Sequence, residues 1–219
     1  MNHKPVALYL IGGITGLLGS LLMLITSYLV TFRLQAAYLG TQDGKMAFIA
    51  SHPLVGITHG LGVASLILIV PTVVALFVLL NPVATARSFL GTGFALLWLC
   101  IELVGQLSQT APLRALSELY NDLLTLQTAV AIYNVSEEFW EACSLTGTFL
   151  SAIMSLCYGL ALIGGWNRPS GYLFLIAILA FPIGLAIPGV GIQLHVALRG
   201  LAFFIVAGVL LKMATSRKE

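Results

Sequence analysis

The sequence predicts an all-α fold: a six-helix transmembrane bundle with an amphipathic helix over its outer face between the third and fourth spans. Three observations carry this expectation. The 219 residues include only ten Lys/Arg and eight Asp/Glu, or 8% charged, and 59% are hydrophobic. Soluble domains carry roughly 25% charged residues, because polar groups must cover most of their surface. Mean hydropathy is +1.02, and the charges are spaced so that the uncharged stretches between them match the roughly 20 residues a spanning helix needs.

The spans follow in order. No charge lies between Lys4 and Arg33, so the first span is predicted over 5–31. Its apolar run exceeds the roughly 7–15 residues of a signal-peptide core, so it is expected to be retained. His52-Pro53 opens the second span, 55–80, Asn81-Pro82 closes it, and Pro71 is expected to kink it. The third, 88–109, is interrupted only by Glu102. The fourth, 143–165, ends at Gly164-Gly165 and the Trp166–Pro169 turn. The fifth, 171–186, is short, broken by Pro182 and followed by Pro188. The sixth, 193–213, carries Arg199.

With six spans the termini share one side, which holds Lys4, Arg87, Arg168, Lys212, Arg217 and Lys218. The opposite loops hold Arg33, Lys45 and Arg114. Basic residues concentrate on the cytoplasmic side, so both termini are expected in the cytoplasm. The segment 110–142 is then outside and acidic, with Leu113, Leu116, Tyr120 and Leu123 recurring at helical spacing. Pro112 suits a first helical turn. Ser136 before Glu137-Glu138 reads as the N-cap of the fourth span.

Helices in lipid associate by close packing, which favours small residues at i, i+4. Such ridges are Gly12, Gly16 and Ser20 in the first span, Gly56, Gly60 and Ala64 in the second, and Gly147, Ser151, Ser155 and Gly159 in the fourth. Each is expected to turn inward. Cys100 and Cys157 are expected as small core residues.

An ionisable group inside a span costs roughly 2.5–3.5 kcal/mol on insertion scales and needs an explanation. Glu102 lies seven positions before Gln109, and Arg199 six positions after Gln193. Both therefore sit roughly 10 Å below the outer surface. Gln106 is one turn above Glu102, His195 one turn above Arg199, and His59 enters early in the second span. All five polar residues fall in the outer half of the membrane. They predict an outward-facing pocket built on a Glu102–Arg199 pair and lined by His59, His195 and Gln106. The alternative is that Arg199 snorkels outward and the histidines are interfacial.

Metal and haem motifs, a P-loop, a dinucleotide glycine pattern and Gly-x-Ser-x-Gly are all missing from the sequence, so no cofactor, no metal and no catalytic residue is assigned. A net charge of +2 without a basic run excludes nucleic-acid tracking, and three scattered cysteines exclude a disulfide framework.

Residues 74–80, followed by a short basic turn, Gly93-Phe94 and Ile101-Glu102, are similar to a family of six-span bacterial integral membrane proteins known only as a domain of unknown function. Glu137-Glu138-Phe139-Trp140 and the Trp166–Pro169 turn resemble the same family, whereas the first outer loop and Arg199 do not match it. The resemblance implies a six-helix layout in a bacterial cytoplasmic membrane and no activity. The expected role is a non-enzymatic multi-pass protein, in contact with the lipid bilayer, whose polar pocket takes a small or amphipathic ligand or a transported solute. Alternatives are a structural subunit, with itself or a larger membrane complex as partner, and a small enzyme using Glu102 with a histidine as acid–base pair.

Overall fold

In the computed structural model of the protein the described residues are 6–34, 48–49, 51–119, 123–164, 167–186 and 190–216. They form six α-helices: α1 Val6–Phe32, α2 Leu54–Leu80, α3 Thr85–Leu119, α4 Leu123–Ile163, α5 Arg168–Ala186 and α6 Val190–Thr215. Five are long and apolar enough to cross a membrane, and α5 supplies a shorter apolar helix. The predicted spans thus reappear as helices.

Successive helices run antiparallel, as their contacts show. The Ser88 hydroxyl of α3 donates to the Phe77 carbonyl of α2, and at the other end of this pair His59 meets Gln106. In α3 and α4, Thr92 bonds Tyr158 at one end while Gly105 abuts Cys143 at the other. Every helix packs on its neighbours in the sequence, and α6 returns to α1, so the six close a ring in chain order. One end of this bundle bears the start of α1, the turn at 81–84, the end of α4 and the end of α6; the opposite end is called the loop end below. The interior is filled by Trp98, Tyr158, Phe174 and Phe203, all fully buried. Phe174 sits edge-on to Phe203 at 5.1 Å, and Trp98 stacks on Phe203 at 6.3 Å. Large aliphatic side chains such as Ile14, Leu18, Ile67, Leu97 and Leu179 point outward, the inverse of a soluble surface and suited to lipid.

Two of the three glycine ridges make the ring tight. A Cβ at Gly12 would stand 2.7 Å from the Ala75 Cβ and 3.0 Å from the Pro71 carbonyl oxygen. That proximity also lets the Thr72 hydroxyl donate to the Gly12 carbonyl at 2.7 Å. The α4 ridge is buried along its length, from Gly147 through Ser151 and Ser155 to Gly159, where α5 answers with Gly171. The α2 ridge does not follow. Gly56 and Gly60 face outward with nothing within 4 Å, because the inward face of α2 is taken by Val55, Thr58, His59, Ser65 and Leu66.

Other expectations are corrected. There is no separate amphipathic helix between the third and fourth spans among the described residues: α3 runs on to Leu119 and α4 begins at Leu123. Pro112, expected to start a helix, sits inside α3. It forgoes one backbone bond without stopping the helix. Ser136, expected as an N-cap, lies within α4, where its hydroxyl donates to the Tyr133 carbonyl at 2.8 Å instead. Pro182 is likewise inside α5, which continues to Ala186, and Pro188 lies outside the described residues. Cys100 faces outward rather than into the core.

Gly12→Val should lower the thermal midpoint of the protein in detergent, at a cost of about 1–3 kcal/mol for forced overpacking. Gly56→Val and Gly60→Val should leave the midpoint nearly unchanged. The comparison, read by differential scanning fluorimetry, separates the inward ridge from the outward one.

Candidate functional site

The polar residues of the spans form a line descending from the loop end, with His59, His195 and Arg199 buried and Glu102 and Gln106 half-buried. At its top, His59 on α2 meets Gln106 on α3, with 2.9 Å between Nδ1 and Oε1. Gln106 Oε1 can only accept, so Nδ1 carries the hydrogen. Gly62, one turn further along α2, faces this amide, and a Cβ there would meet Gln106 Oε1 in ordinary van der Waals contact at 3.4 Å.

One turn deeper on α3 is Glu102. Its side chain lies across the backbone of α4, where a Cβ on Gly147 would come within 2.8 Å of both its Cγ and its Oε1. The Gly147 ridge therefore not only lets α3 approach α4 but also holds a carboxylate. Trp98, a further turn down, faces Glu102 with its indole Nε1–H yet closes no hydrogen bond of good geometry. The other side of the indole receives Arg199, whose guanidinium carbon stands 4.0 Å from the ring centroid. This is a cation–π contact in a dry interior, where such contacts are strongest.

Arg199 is 3% exposed. It does not snorkel. Its Nη1 lies 3.4 Å from His195 Nε2, and its Nε has no partner. His195 is fully buried, with Nδ1 2.6 Å from the Ala177 carbonyl of α5 and Nε2 2.9 Å from the Ser151 hydroxyl of α4. A carbonyl only accepts, so Nδ1 is the protonated nitrogen and Nε2 of the neutral ring is an acceptor. The Ser151 hydroxyl has one hydrogen, shared between Nε2 and the Thr148 carbonyl 2.8 Å away.

The expected Glu102–Arg199 ion pair is not formed. There is no direct contact, because Trp98 occupies the guanidinium face and Glu102 turns aside onto Gly147. The five predicted residues thus fall into two groups, His59 with Gln106 and His195 with Arg199, and Glu102 stands between them.

A second feature was not anticipated. At the loop end a cavity of about 10 Å³, partly open, is lined by Ile49, Val55, His59, Gln109, Tyr133, Glu137 and Trp140. It has room for about one water molecule. Gln109 is only 2% exposed and its Nε2 has no hydrogen-bond partner. Of its polar lining only His59 was singled out for the site from the sequence. Gln109 and Tyr133 look there like ordinary boundary residues of long helices, although Glu137 and Trp140 belong to the four-residue acidic–aromatic run already noted. Among the described residues no group of three or more His, Cys, Asp or Glu is placed to hold a metal ion.

Comparison with protein-family models, with curated proteins and with solved structures finds no match.

Trp98→Leu and Arg199→Met should each destabilise the bundle, and the double variant should lose less than their sum, by about 0.5–2 kcal/mol. Thermal midpoints of the four proteins in one detergent measure that coupling. Gly147→Ala should be more harmful in the native chain than in a Glu102→Ala background, since the added methyl meets the carboxylate.

Proposed function

We propose that this is a non-enzymatic, six-span protein of a bacterial cytoplasmic membrane, with both termini in the cytoplasm, that takes a small polar or amphipathic ligand from outside. The observation that carries the reading is the cavity beside His59, lined also by the buried Gln109, at the head of a polar line descending to Arg199. A packed membrane protein gains nothing by burying an unsatisfied amide unless something meets it. The ligand sits at the cavity, and the Arg199 group forms the fixed polar wall behind it. In this reading Glu102, Gln106 and His195 bind no ligand directly; they hold the helices that shape the site.

Six crossings are favoured because α5, with 19 residues, is about 28 Å long at 1.5 Å per residue, close to the hydrocarbon thickness of roughly 30 Å. The Lys/Arg balance supports the orientation, and the resemblance to the six-span bacterial family supports the layout and membrane. An acid–base enzyme would need Glu102 beside a histidine, but His195 is committed to Ala177 and Ser151. The subunit reading draws on one specific observation: Gly56 and Gly60 leave an open, small-residue strip on the outward face of α2, which a partner's helix would fill.

The test uses a cysteine-free background (Cys100, Cys143 and Cys157 replaced) in intact cells. Cysteines at Gly40 and Asp122 should react with a membrane-impermeant maleimide from outside, and one at Arg217 should react only after permeabilisation. The opposite pattern overturns the orientation.

A further inference from the structure

Glu102 takes no part in the ion pair expected of it, and its surroundings suit it to a different use. We propose that its carboxyl is a proton-binding site inside the membrane. The neutral acid rests on α4, and the ionised form turns to Trp98. The inference goes beyond the ligand reading above and does not depend on the cavity at the loop end.

The place of the carboxyl is the first argument. Its Cγ and Oε1 come within 2.8 Å of a Cβ placed on Gly147, and its carboxyl carbon within 3.0 Å, so it lies against bare helix backbone. Gly147 is buried in the interior of α4, Leu123–Ile163. There each N–H is already given to the carbonyl four residues back, and the backbone offers no donor to an ionised carboxylate. No hydrogen bond of good geometry comes from Trp98 either. A charge in a span without a partner is costly, and a neutral carboxylic acid avoids that cost.

An unused donor for the ionised form is the second. Trp98 lies one turn below Glu102 on α3, a spacing at which side chains are neighbours. Its Nε1–H faces Glu102, can only donate, and has no partner although Trp98 is fully buried. The Arg199 guanidinium carbon stands 4.0 Å from the centroid of the same ring. A turn of the Glu102 side chain therefore brings a carboxylate to this donor, with a cation behind the ring. Two groups without partners, one turn apart, are explained together if the carboxyl moves between both positions.

Access and neighbouring charge are the third. Glu102 is half-buried and Arg199 is 3% exposed, so of the two the carboxyl is the group that a proton can reach. On release the proton passes to water and the carboxylate keeps the electron pair. The groups around it that carry or take charge are Cys143 on α4, beside Gly105, His59 on α2, and Arg199 with His195 on α6. Glu141, on α4 six residues nearer the loop end than Gly147, is exposed. His59 is bonded to Gln106, and His195 to Ala177 and Ser151. A guanidinium stays charged, and an ordinary thiol loses its proton far above an ordinary carboxyl. Because the indole also stacks on Phe203 of α6, a bond formed at Nε1 pulls on the contact that joins α3 to α6.

The test is infrared spectroscopy of the full-length protein in nanodiscs, titrated from mildly acid to alkaline buffer. The difference between native protein and Glu102→Gln should contain the carbonyl stretch of a protonated carboxyl, and this band should vanish as the pH rises. Trp98→Phe keeps a ring and removes the donor that receives the ionised form. It should carry the disappearance to higher pH by about 1–2 units, the worth of a hydrogen bond to a charged group. A band absent throughout, a band that never titrates, or a Trp98→Phe titration equal to the native one overturns the proposal. If Glu102→Gln fails to fold, dicyclohexylcarbodiimide, which enters lipid and reacts with protonated carboxyls, serves on the native chain. Peptide mass spectrometry should then find Glu102 modified in mildly acid buffer and unmodified in alkaline buffer. Modification at no pH, or equally at every pH, overturns the proposal by this second route.

Discussion

The contact between Arg199 and Trp98 sets the terms for the centre of this bundle. A guanidinium that cannot reach water must be solvated by the protein. Here two things contribute: the face of an indole and the acceptor nitrogen of His195. The planar, weakly hydrated guanidinium can lie flat on a ring in a way that a lysine ammonium cannot. Because Trp98 belongs to α3 and Arg199 to α6, which are not neighbours around the ring, this contact ties opposite walls together. The aromatic stack of Trp98, Phe203 and Phe174 continues the same tie toward α5.

Such a tie works only if the walls stand close, and the small residues provide that. In lipid the apolar side chains gain little by meeting each other, so packing and hydrogen bonds decide which faces turn inward. Gly12 admits the backbone of α2 and receives the Thr72 hydroxyl, and Gly147 makes the place in which Glu102 lies. Ser151 serves both purposes, small enough for the helix ridge and polar enough to bond His195. On α2 the inward face is already filled by larger side chains, so its glycines look outward.

Near the middle His195 is bonded through both ring nitrogens, while Arg199 Nε and Trp98 Nε1 have no hydrogen-bond partner. Toward the loop end His59 and Gln106 bond each other, while Gln109, one turn nearer the end of the apolar stretch, has an amide with nothing to meet.

Span positions were legible in the sequence because they depend on quantities local to the chain, namely the distance between charges and the length of apolar runs. Glu102, Arg199, His195, His59 and Gln106 were legible for a related reason, since each is a polar residue in apolar surroundings. Their partners were not. Trp98 looks like one more hydrophobic residue, Gly147 like part of a packing ridge, and the Ala177 carbonyl carries no side-chain signal at all. Pro112 and Ser136 misled because each is typical of a helix start, yet neither stops a helix that continues through it. What the one-dimensional chain determined by itself was which segments avoid water and which few groups within them resist doing so. The ring of helices decided what answers those groups, because a buried charge is met by whatever the neighbouring walls bring to it in three dimensions.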